Sequence, residues 1–152
     1  MMTITIYTPP ILAEVRQRSH MEVQDIKDPE ARDNARAGLD KMDELTRDLR
    51  EAFGQVLHRC ERFLVRNFTF AADNISGIPE AYMFEFRVSE RRFANKADAL
   101  TEAINGFVVS HILTRFYITV GHADFAQRHQ AEEQEFLAQI DEILYTKLPP
   151  RP

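Results

Sequence analysis

The chain has no tryptophan, a single cysteine, five glycines and no long run of basic residues. One thiol, Cys60, cannot close an internal disulfide, which is compatible with a reducing compartment. Five scattered glycines supply no glycine-rich phosphate loop of either usual spacing. No G-x-S-x-G elbow occurs, and Ser76-Gly77 falls in a turn without an acid–base partner. The opening MMTITIYTPP lacks a basic region followed by an apolar stretch, so no signal peptide is read there. The net charge of -5 is spread over the chain. Arg91, Arg92 and Lys96 cluster but are diluted by Glu90 and Asp98, and the aromatics alternate with acids and apolar residues. No sequence-specific nucleic-acid binding is expected from this pattern.

Metal ligands are also in short supply. Di-iron bundles present Glu-x-x-His on inward faces, and no histidine here has a glutamate three residues before it. His58 with Glu61 and His129 with Glu132 give only the reverse spacing, which is common on charged helices. His111 reads as a hydrogen-bonded core histidine, and Cys60 as a small buried hydrophobe rather than a nucleophile. The expectation is therefore no catalytic residue, no cofactor and no metal.

What is abundant is helical apolar periodicity. The length suits one domain, read as residues 1–146, with 147–152 as an extended proline-rich tail. Its centre is the stretch from Ala97 to Val120. Leu100, Ile104, Phe107, Val108, Ile112 and Phe116 or Tyr117 recur at three- and four-residue steps, and Val109, Leu113 and Val120 fill the adjoining face. So wide a stripe requires cover from several sides, by other elements or other subunits. Asn95 is read as its cap and Gly121 as its stop. His111 and Arg115 interrupt the run, and it is too short to span a bilayer comfortably, so no membrane insertion is expected. Arg115 is expected to snorkel to the edge or to pair with Glu102, Asp98 or a neighbour, the sharper alternative being an ion pair between subunits.

Around this helix, Thr3 to Tyr7 reads as a short strand, with Thr8-Pro9 starting a helix that runs to about Ile26. Asp28-Pro29-Glu30 repeats the start signal. Residues 39–66 form a long amphipathic helix with Leu39, Met42, Leu45, Leu49, Phe53, Val56 and Cys60 on one stripe. Asp48 and Glu51 fall on its polar faces. A near-heptad spacing makes Leu45 and Leu49 candidate interface residues, alongside the commoner reading of an intramolecular face. Phe68 and Phe70, then Tyr82, Phe84, Phe86 and Val88, alternate as a hairpin with a long connection. Residues 123–145 are a second amphipathic helix, folding back antiparallel. Phe125, His129, Phe136, Leu137, Ile140, Ile143 and Leu144 face inward in this reading, and Glu132, Glu133, Glu135, Asp141 and Glu142 stay in water. The fold class is mainly α: an antiparallel helical bundle with a small β-hairpin or three-stranded sheet covering one side.

The order in the second half is an aromatic strand, an apolar helix, a tight turn and an acidic helix. Ile143-Leu144-Tyr145 close that helix, and Leu148, Pro149, Pro150 and Arg151 follow. This layout resembles small phage and prophage virion proteins of the head–tail connector or neck-adaptor type, over about residues 80–152. The resemblance implies a non-enzymatic homo-oligomer that contacts portal, adaptor or tail subunits in a virion assembled in the host cytoplasm. Leu45, Leu49, Arg115 and the tail residues are its interface candidates. The alternative is an intracellular helical interaction or regulatory module that dimerises through residues 39–66.

Overall fold

A computed structural model describes residues 2–69, 79–87 and 96–145, without the side chains of Leu39 and Phe68. The elements are β1 (Met2–Tyr7), α1 (Thr8–Glu22), α2 (Pro29–Asn34), α3 (Met42–Cys60), β2 (Leu64–Thr69), β3 (Ala81–Phe86), α4 (Ala97–Val120) and α5 (Ala123–Tyr145). Single 3-10 turns flank α3. The architecture is mainly helical with one small antiparallel sheet, as the periodicity implies.

The sheet has the order β1-β3-β2. Alternation in β1 and β3 turns Ile4, Ile6, Phe84 and Phe86 inward, each at most 2% exposed. Phe53 of α3 stacks on Tyr82 with ring centroids 3.8 Å apart, which fixes α3 against the sheet. A register shift between Leu64 and Arg66 interrupts β2, and Arg66 pairs with Glu85 on the outer face. Such irregularities and charges discourage strand-to-strand aggregation at an edge.

Thr8 does not cap α1 as expected. Tyr7 occupies the cap position, and the Thr8 hydroxyl donates to the carbonyls of Pro79 and Glu80, at 2.6 and 3.2 Å. Helix α1 stops at Glu22, short of Ile26. Asp28 does cap α2, accepting from the Glu30 amide. The long helix read over 39–66 ends at Cys60, where a 3-10 turn leads into β2. From there the chain continues as β2, which pairs antiparallel with β3, while Phe70 lies outside the described residues.

Helix α4 is the hub. It packs against α5, α3, α1 and β1. Phe107, Leu113 and Phe116 are all at most 1% exposed within one chain. Of the two sources of cover expected, other elements or other subunits, the first supplies it: four elements of the same chain cover the helix, so it is not too apolar for a single copy. Its length and composition would also suit a membrane span, but it is mostly buried inside the protein, as a core helix is. It begins with Lys96 at the cap position; Asn95 lies outside the described residues. It ends at Gly121, whose φ of 83° lies in the left-handed region. The His122 amide then bonds the Tyr117 carbonyl at 2.9 Å, closing a glycine C-cap.

Candidate functional site

The apolar core is crossed by polar residues where four helices meet. Two consecutive residues of α4, Ser110 and His111, face two consecutive residues of α5, Glu132 and Glu133. The Ser110 hydroxyl donates to Glu132 Oε2 at 3.3 Å, and His111 Nδ1 lies 2.6 Å from Glu133 Oε1. The antiparallel packing of α4 on α5 produces both contacts together.

From there the network reaches the outer helices. His111 Nε2 faces Glu51 of α3 at 3.4 Å, and Arg115 donates to the same Glu51 oxygen at 2.8 Å. Asp48, one turn earlier on α3, is only 3% exposed. Burial pushes its carboxyl above the ordinary range, against the pull of Arg47 and, more weakly, of His111 and Arg115. On the other side, His129 Nε2 meets Glu22 of α1 at 2.7 Å, and its Nδ1 faces Glu132 at 3.4 Å. Arg18 of α1 donates to both Glu132 oxygens. Burial pushes the Glu132 carboxyl up, but Arg18 and His129 outweigh it, and it settles below the usual carboxylate range. The Tyr117 ring lies nearly parallel to that of His129, and burial, reinforced by Glu22, raises its phenol.

Each imidazole thus stands between two carboxylates, one at each ring nitrogen. Carboxylates on opposite edges of a ring do not converge on a common point. Among the described residues, no group of three or more histidine, cysteine, aspartate or glutamate side chains is placed to hold a metal ion. His111 and His129 are 3% and 1% exposed, so their nitrogens face neighbouring helices rather than solvent. Chemically, the arrangement joins α1, α3, α4 and α5 through charge-assisted hydrogen bonds, the stronger kind.

Among the described residues, three open surface clefts do not reach either histidine. One of about 440 Å³ lies at the α4–α5 turn, between Gly121 and Arg128. Another of about 380 Å³ lies between the end of α3 and β2. The third, of about 490 Å³, is lined by His58, Arg59, Asp141 and Tyr145. The Arg59–Asp141 ion pair crosses its floor.

The sequence-derived interface candidates separate on this frame. Leu45 and Leu49 are fully buried inside one chain, so those two side chains are spent on the subunit's own core. Arg115 is half-exposed and pairs with Glu51 of its own chain rather than with Asp98 or Glu102. Leu148, Pro149, Pro150 and Arg151 lie outside the described residues.

Glu133 and Asp48, expected in water, are buried. Both had a readable signal. Glu133 falls on the stripe Ala126, His129, Ile140, Leu144, and Asp48 on the stripe Leu45, Leu49, Ala52. The buried Cys60 thiol is pushed up to about 12 by desolvation, in keeping with an inert core residue.

No family model matches the chain, and no curated protein or solved structure is detectably similar to it.

Proposed function

We propose that this chain is a non-enzymatic structural subunit of a phage particle, a head–tail connector, neck or tail-completion protein working through protein–protein contacts. The observation that supports this reading is the order of the second half: β3, the covered apolar α4, the left-handed turn at Gly121 and the acidic α5. That is the layout whose sequence resembles small virion proteins.

The self-covered α4 alters the expected mode of contact. A subunit that buries its own core docks by surface patches rather than by sharing an apolar helix. Among the described residues, Tyr7, Met21, Val65, Ile118 and Tyr145 are the large apolar side chains left exposed, and they are the anchors assigned to copies of the chain and to portal, adaptor or tail proteins. The setting is a virion assembled in the host cytoplasm.

Light scattering on the purified chain, alone and mixed with phage portal and tail proteins, tests this. A ring-sized species or co-elution with one of those proteins is expected. A compact monomer that binds none of them overturns the reading.

A further inference from the structure

Residues 24–41, which carry α2, connect α1 to α3 across one end of the bundle. Their hold on the body is slight. Helix α2 buries none of its six residues. Among the described side chains of the segment only Ala35 and Ala37 are fully buried, with Ile26, Ala31, Arg32, Arg36 and Lys41 partly so. Among those described side chains the fully buried apolar surface is two methyl groups, set against the entropy of ordering the connection.

Most polar links of the segment are internal. Asp28 caps α2, Arg36 pairs with Asp33, and Lys41 Nζ donates to the carbonyls of Asn34 and Arg36. Among the described residues, two polar contacts reach the body. The Ala37 amide donates to Ser19 Oγ of α1 at 3.0 Å, and Lys41 Nζ sits 5.0 Å from the centre of the Phe116 ring of α4. Beneath them, Ser19 is 0% and Phe116 1% exposed. The bundle below is held very differently, by apolar stripes on α1, α3, α4 and α5 and by the histidine–carboxylate pairs.

We propose that residues 24–41 are a strap that opens as a unit while α1, α3, α4 and α5 stay folded, baring the Ser19 side of α1 and the Phe116 ring. Segments with few buried apolar contacts open at a small fraction of the global unfolding free energy. Lys41 is the clasp: one ammonium gathers the end of α2 and lays it on Phe116. The inference rests on these contacts alone and does not need the virion reading.

The chain carries its own reference for the test. Cys60 is fully buried on α3 and far from the strap in sequence, so its labelling reports opening of the core. Ser19→Cys places a second thiol under the strap with little change in shape. Thiol labelling of the folded variant is followed at both positions, each normalised to its rate in the unfolded chain. The thiol at position 19 is expected to react at least about tenfold faster than Cys60 and with weaker urea dependence. Adding Lys41→Met is expected to raise the rate at position 19 by roughly two- to fivefold, the size of a lost cation–π contact, and to leave Cys60 unchanged. Equal rates and equal urea dependence at the two thiols would mean that the strap opens only with the whole molecule, and would overturn the proposal. If Ser19→Cys does not fold, Ala37→Cys on the strap itself gives the same comparison.

Discussion

The ring of Phe136 rests on the bare backbone of Gly106. A Cβ built at position 106 would stand 2.4 Å from two of the ring carbons, closer than side chains ever approach. Glycine inside α4 therefore sets how near α5 can lie. Gly106→Ala should destabilise the protein by roughly 1–3 kcal/mol through overpacking, although alanine is the better helix former. Urea unfolding measures it. In a Phe136→Leu background the same change should cost little or become favourable, and a penalty that persists there would refute the steric account.

Gly54 supplies the contrast. It lies on the exposed side of α3, and a Cβ there meets nothing within 4 Å. Gly54→Ala should stabilise the protein by up to about 1 kcal/mol, visible as a raised urea midpoint with an unchanged slope.

Removing Glu133 should be costly out of proportion to its size. Glu133→Ala strips the nearest partner from His111 Nδ1, and the expected loss is about 1.5–3 kcal/mol. The double change His111→Leu with Glu133→Leu should cost less than the two single changes summed, by at least about 1 kcal/mol. Strict additivity in the cycle would show that the 2.6 Å contact contributes no coupling.

Asp48 predicts a pH dependence. Burial raises its folded pKa above the ordinary 3.8, so the fold favours the protonated acid. The stability this contributes is present below the ordinary value and is lost as pH rises through the folded one. Asp48→Asn should therefore be more stable than the parent at pH 7, by about 1 kcal/mol. The advantage should shrink as pH falls toward 3.8. Denaturant melts at pH 7 and pH 4 check the sign; an advantage that grows on acidification would reverse the assignment.

These tests also mark where the sequence was legible. The extent of α4, its stop at Gly121, the antiparallel return of α5 and the aromatic alternation of β3 all follow from local spacing, because apolar period and turn chemistry are short-range properties. The polar core was half legible. His111 reads as a core histidine from its apolar neighbours, but its partners Glu133 and Glu51 come from other helices. Glu22 meets His129 across 107 positions of chain, a distance no periodicity encodes. Glu133 was misread because charge outweighed its place on the apolar stripe. Leu45 and Leu49 read equally well as core or as interface, because an inward stripe and a docking stripe look alike until their neighbours are known.

The pairing of Ser110 and His111 with Glu132 and Glu133 works as a two-toothed key between α4 and α5. Greasy surfaces slide over one another with little preference for one alignment, and two long rods could settle a turn out of step. A shift of that size here would part the buried Glu133 from His111, at a penalty of up to several kcal/mol for an unpaired buried charge. The wards of this lock therefore favour one alignment of the hairpin that forms the protein's centre.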